Sequence, residues 1–176
     1  PESNLIREIA VEARQTYLAE VDAWATNSLS TFQPIQFDFS AAGVDGGTLE
    51  KSKFEGRITV VDLWATWCPP CREGLPHFIR LNNEYSAQGV EVIGLSVDNT
   101  EDPASSVDAV RRVMQEENVN YPCAMADQQI ADQLTGQVQW PTTVFIDASG
   151  EVRLVVKGFH DYEHLSAVVE KLLEEE

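Results

Sequence analysis

The sequence predicts an α/β fold in which a mixed central sheet carries helices on both faces, with a β-hairpin and an extra N-terminal helix ahead of it. Three observations carry this reading. "ITVVDLWA" (58–65) and "GVEVIGLSVD" (89–98) are nearly continuous apolar runs, the pattern of strands covered on both faces. Each is followed by a segment of helical character, over 69–85 and 102–118. "PTTVFIDASGEVRLVVKG" (141–158) reads as a hairpin turning at Ala148, Ser149 and Gly150, and "DYEHLSAVVEKLLEEE" as a closing helix. Strand, helix, strand, helix, hairpin, helix is the order of a layered α/β sheet.

The remaining elements follow in order. Residues 1–30 form one helical segment, with Ser3 as its expected N-cap and Ile6, Ile9, Ala13, Tyr17, Val21 and Trp24 recurring at three- and four-residue steps. That stripe must bury itself, on the following domain, an upstream one or a second copy. We read 1–30 as an appendage or linker and 31–176 as the domain proper. "STFQP" (30–34) breaks the helix, and "IQFDFSAAGVDGGTLEKSKFEG" (35–56) alternates around "GVDGG", a hairpin signal. Asp102 is the expected cap of the second helix, with Pro103 at its first position. "NYPCAMA" (120–126) is a short strand, followed by a short helix over 127–134.

Composition narrows the function. Twelve Lys and Arg stand against 29 Asp and Glu, for a net charge of −17, so nucleic acid is not an expected partner. No apolar run reaches the roughly 18–20 residues of a membrane span. The chain opens on Pro1 in a polar, acidic stretch without a signal-peptide pattern. An export signal or membrane anchor is therefore expected only in sequence upstream of it. Three cysteines are too few for a disulfide scaffold: Cys68 and Cys71 form a pair, and Cys123 reads as a small buried hydrophobe.

The pair lies in "VVDLWATWCPPCREGLP" (60–76), where a buried strand gives way to a helix. Helix N-termini favour negative charge, and the thiolate is the reactive form of cysteine. Two-residue spacing returns the second sulfur one turn into the helix, which suits thiol–disulfide exchange. With Cys68 as N-cap, Pro69 and Pro70 occupy positions where missing N–H groups cost little. An N-cap acceptor normally takes its bond from the second or third helical amide, and Pro70 has none. Only Cys71 remains to stabilise a Cys68 thiolate, so the pair is expected to be a weak oxidant and a reductant. Zinc would need four ligands, and no second CxxC or Cys/His pair is present, so no metal is expected.

These residues resemble a known family. "VVDLWATWCPPCREGLPHF" is similar to the active-site segment of the thioredoxin superfamily, and Trp-Cys-Pro-Pro-Cys with the inserted layout resembles its TlpA/ResA-like branch of extracytoplasmic thiol–disulfide oxidoreductases. The resemblance spans roughly residues 35–174 and implies a thioredoxin-like three-layer sandwich. "WPTTVFID" resembles the family's cis-proline segment, which would place Pro141 beside the disulfide. Pro76 matches the proline that kinks the active-site helix, and Gly158 the glycine that leaves room for a partner chain. Asp62 stands where thioredoxins bury an acidic residue, implying a proton acceptor for Cys71. One departure is Gly74, where ResA-type reductases resemble one another in carrying Glu.

The resemblance implies that Cys68 attacks a protein or small-molecule disulfide and Cys71 resolves the mixed disulfide, with Trp67, Trp140, Pro141 and Thr142 contacting substrate. No cofactor is implied; an upstream dithiol reductant must recharge the pair, in a periplasmic or otherwise extracytoplasmic setting. Two alternatives are a thiol peroxidase of the peroxiredoxin-like branch and a non-catalytic thioredoxin-fold binding module. Peroxiredoxins resemble one another in a Pro-x-x-x-Thr-x-x-Cys pocket, whereas here Val61 and Ala65 hold the Pro and Thr positions.

Overall fold

The computed structural model describes residues 2–98, 103–134 and 139–176. Seven strands form one sheet in the order β2-β1-β5-β4-β3-β6-β7. They are β1 (Ser40–Gly43), β2 (Thr48–Glu50), β3 (Ile58–Trp64), β4 (Val90–Ser96), β5 (Cys123–Met125), β6 (Thr142–Ile146) and β7 (Val152–Lys157). The helices are α1 (Glu2–Thr31), α2 (Pro69–Tyr85), α3 (Pro103–Glu116), α4 (Gln128–Asp132) and α5 (Tyr162–Glu174). Every residue of β3 is buried, as its unbroken apolar run requires of a strand paired on both sides and covered on both faces.

β3, β4 and β5 run parallel, and the other pairs are antiparallel. β3–α2–β4 and β4–α3–β5 step in the same direction across the sheet, so right-handed crossovers put α2 and α3 on one face. Side chains confirm this. Val60, Trp64 and Val92 pack with Leu75 and Phe78 of α2, Val110 and Val113 of α3, and Leu165, Val168 and Leu172 of α5. The opposite face, built from Val61, Leu63, Ile93, Leu95 and Val144, is covered by the short α4 and by Phe37 and Phe39 of the segment after α1. Successive strand residues point to opposite faces, so Asp62 shares the α2 face with Val60 and Trp64.

The expected apolar stripe of α1 is only half used. Val21 and Ala25 are buried and Trp24 packs on the core, but Ile6 and Ile9 are 67% and 57% exposed. The reason is reach: α1 lies against α5, and the body of the protein meets only its C-terminal half. Ser3 is not the N-cap, because the helix already includes Glu2. The Asp102 cap lies outside the described residues.

Docking is specific. Trp24 stacks on His160 (5.3 Å between centroids) and meets His164 edge-on (4.8 Å). The Tyr17 hydroxyl donates to Asp161, the N-cap of α5. Arg14 pairs with Glu163 and Lys171 with Asp22, both at 2.7 Å. Removing the half-buried indole with Trp24→Ala is expected to cost about 2 kcal/mol. For a chain of this size that lowers Tm by roughly 4–8 °C, measurable by calorimetry; an unchanged Tm would mean that α1 does not dock through Trp24.

Candidate active site

Cys68 is the N-cap of α2, with extended backbone (φ −100°, ψ 104°) and Pro69 and Pro70 at the first two helical positions. Its sulfur accepts one hydrogen bond, from the Cys71 amide at 3.3 Å. Neither proline has an N–H to give, so the helix start offers this sulfur far less than a usual N-cap receives. Cys68 and Cys71 are joined in a disulfide, their Cα atoms 5.3 Å apart. The pair is well enclosed: Cys68 is only 4% exposed, and Cys71 1%. Pro76 lies inside α2, which continues beyond it to Tyr85.

The loop ahead of Cys68 is pinned from β4. Asp98 accepts from the Thr66 amide (2.8 Å) and hydroxyl, and from the Ser96 hydroxyl at 2.8 Å. Sequence reasoning missed this residue. Its signal was a carboxylate closing an apolar strand, where burial demands donors.

Asp62 is 1% exposed, and neither of its carboxylate oxygens has a hydrogen-bond partner among the described residues. It is thus neither solvated at the strand edge nor capped by backbone. Burial raises its pKa well above the ordinary carboxylate range, and the nearby Tyr121 hydroxyl acts in the opposite direction. Burial therefore favours the protonated carboxyl over the charged one, and such a group can exchange its proton with a buried neighbour.

The Trp140–Pro141 peptide bond is cis, immediately before β6, whose first residue Thr142 pairs with Leu63 near the end of β3. The Pro141 carbonyl accepts from the Gly158 amide at 2.8 Å, and Gly158 takes a positive φ of 84° that disfavours any side chain. Trp67 is 62% exposed, and with Trp140, Met125, Asp98 and Asp127 it lines a cleft of about 530 Å³. Thr142 does not join them. Its side chain is buried and its hydroxyl donates to the Gln139 carbonyl at 2.6 Å, bracing the cis-proline loop from within. Gly74 leaves open room on α2, its nearest contact for an added Cβ being Phe78 at 3.8 Å. Cys123 is a buried free thiol on β5, pushed up in pKa chiefly by burial.

A dithiol–disulfide at a helix start, on a mixed sheet that also carries a cis-proline ahead of β6, defines a thioredoxin-fold protein whose chemistry is thiol–disulfide exchange. The chain belongs to the AhpC/TSA family, whose model it matches over residues 34–155. It is 30% identical over 135 residues to the thiol-disulfide oxidoreductase ResA of Bacillus subtilis, covering 73% of this chain and 72% of that protein. The ResA of Bacillus thuringiensis subsp. konkukian is 27% identical over 77% of this chain and 75% of its own. Among solved structures, a thioredoxin-family thiol:disulfide interchange protein from Chlorobium tepidum superposes with a TM-score of 0.69 at 26% identity. That match covers 81% of this chain and 98% of the other. The protein is accordingly a thiol–disulfide oxidoreductase.

Burial of Asp62 has a measurable signature. Its folded pKa lies above the unfolded value, so between the two the native state holds a proton that the unfolded chain has lost. Stability therefore falls as pH rises through that window, by about 1.4 kcal/mol per unit of difference. Asp62→Asn is expected to remove this fall, making the oxidised variant more stable than wild type at pH 8 and closer to it at pH 4. Urea unfolding across that range tests this; parallel pH profiles for the two proteins would show that Asp62 ionises normally.

Proposed function

We propose that the protein is a reductant of protein disulfides that works outside the cytoplasm. The observation that carries this reading is the single amide hydrogen bond to the Cys68 sulfur. A thiolate given so little support gains little from reduction of its disulfide, so the dithiol is the better electron donor. In the reduced protein the Cys68 thiolate attacks one sulfur of a substrate disulfide, forming a mixed disulfide and releasing the other substrate sulfur as thiolate. Cys71 gives its proton to the Asp62 carboxylate and attacks Cys68. The Cys68–Cys71 bond forms, and the second substrate sulfur leaves. Two electrons pass to the substrate, and an upstream dithiol must return them.

Trp67 and Trp140 supply apolar contact along the cleft, and an extended substrate strand pairs with main chain at the Trp140–Pro141 edge. The extracytoplasmic setting follows from the substrate, since protein disulfides persist chiefly in oxidising compartments. A peroxide-reducing site would need a hydroxyl and a proline upstream of Cys68. The corresponding Ala65 and Val61 are apolar and fully buried, and Val61 faces the opposite side of the sheet.

Nucleophile order is tested by trapping. Cys71→Ser should accumulate a mixed disulfide with reduced and carboxymethylated substrate controls blank, while Cys68→Ser should neither trap nor reduce insulin disulfides; trapping by Cys68→Ser would reverse the roles. The role of Pro-Pro is tested through the redox potential. Pro70→Thr returns an amide to the second helical position, worth about 1.5–3 kcal/mol as a charge-assisted hydrogen bond. For a two-electron couple that is roughly 30–60 mV toward a more oxidising disulfide, with a lower Cys68 pKa. Glutathione equilibration and thiolate absorbance measure both. A potential that stays put, or turns more reducing, would refute the missing-amide explanation.

A further inference from the structure

The buried side-chain nitrogen and oxygen atoms found without a partner among the described residues are both oxygens of Asp62, Trp64 Nε1 and Tyr121 Oη. All surround one point of the sheet. Asp62 of β3 pairs with Gly94 of β4, and Gly94 with Cys123 of β5, so the three form a row across the α2 face. A Cβ on Gly94 would stand 2.6 Å from Cys123 Sγ, 3.1 Å from Trp64 Nε1 and 3.3 Å from the Tyr121 ring. The glycine is thus required by its neighbours, which converge where its side chain would be. Buried polar atoms are costly unless they satisfy one another or share a water.

The chemistry of the cluster is complementary to an ionised carboxyl. Indole N–H only donates, and a neutral phenol donates to a carboxylate. Tyr121 is held neutral, its pKa raised first by burial and then by the charges of Asp62 and Cys123. Cys123 stays a thiol and lies 3.8 Å from the Tyr121 carbonyl, its pKa raised mainly by burial and also by Asp62 and by Asp45 of the hairpin turn. From α2 the same core layer receives Cys68, Cys71, Leu75 and Phe78; α3 and α5 bring apolar side chains such as Val110, Val113, Leu165 and Val168. Among the described residues, Asp62 is the one carboxyl of this cluster.

We propose that Tyr121 is a positioning residue for Asp62: its hydroxyl donates to the carboxyl, directly or through a water above Gly94, and sets the pH at which Asp62 can take the Cys71 proton. This rests on the reading of Asp62 as that proton's acceptor. Losing the donor removes stabilisation from the charged form alone, so the carboxylate becomes available only at higher pH.

The test is the pH dependence of turnover with insulin in wild type, Tyr121→Phe, Asp62→Asn and the double variant. In wild type the rate should rise with pH through the Asp62 titration. Tyr121→Phe should move that midpoint upward by about one pH unit, tenfold in proton activity, with the plateau rate kept. Asp62→Asn should erase the titration, and the double variant should match it. Carbon-13 NMR of the Asp62 carboxyl in the oxidised protein should show the same upward shift without turnover. If Asp62→Asn erases the titration while Tyr121→Phe leaves both midpoints in place, the inference fails and the proton-acceptor reading stands. The inference also fails if Tyr121→Phe slows turnover evenly at all pH in both backgrounds. A wild-type titration that survives Asp62→Asn would overturn the underlying reading, and the inference with it.

Discussion

Because Pro69 and Pro70 carry no N–H, the start of α2 offers Cys68 a single amide, that of Cys71. The positive end of a helix dipole is still present, but its most direct expression, a donated hydrogen bond, is reduced to one contact. The rest of the site is arranged around that deficit. The loop before Cys68 is not held by the sulfur; it is held by Asp98, which takes both the amide and the hydroxyl of Thr66. Opposite, the cis-proline loop is fixed by the Gly158 amide and by the inward Thr142 hydroxyl. The loops on either side of the disulfide are thus held by hydrogen bonds of their own.

Burying Asp62 in a strand closed on both faces carries an opposite logic. A carboxyl there destabilises the folded state whenever it is charged, and a hydrophobic residue of similar size would pack at lower cost. Its neighbours do not neutralise it with a cation. An indole N–H and a phenol share its cluster, both without a hydrogen-bond partner among the described residues. Gly94 belongs to the same arrangement, since any side chain there would displace Cys123, Trp64 and Tyr121 together. Stability is given up at one point of the core beneath the helix that carries both cysteines.

Much of this was legible in the sequence, for identifiable reasons. Buried parallel strands announce themselves as unbroken apolar runs, and a Pro-Pro between two cysteines has few structural meanings, so β3, β4, α2 and the N-cap sulfur could be read directly. Side-chain direction at strand ends could not. Thr142 follows the cis-proline and looked available to substrate, yet strand alternation turns it inward. Asp98 closes an apolar run in a way that resembles an ordinary strand end, and its bond to Thr66 spans 32 residues. Tyr121 and Gly94 acquire meaning only from the register that aligns Asp62, Gly94 and Cys123. Periodicity also overstated α1, because helical spacing says which residues share a face but not how much of that face meets a surface.

The part of α1 that does dock meets the protein close to the groove. Trp24 stacks on His160, whose ring nitrogen Nδ1 donates to the Gly158 carbonyl at 3.1 Å, while the Gly158 amide holds the Pro141 carbonyl. Two residues therefore separate the helix from the cis-proline loop. Gly158 has no side chain to pack, so its position depends on contacts made to either side of it, and Trp24 supplies one of them. Phe159, the next residue, meets His77 of α2 edge-on at 5.5 Å, closing the same rim from the active-site helix. A helix lying outside the matched family segment is joined in this way to the backbone of the cis-proline loop.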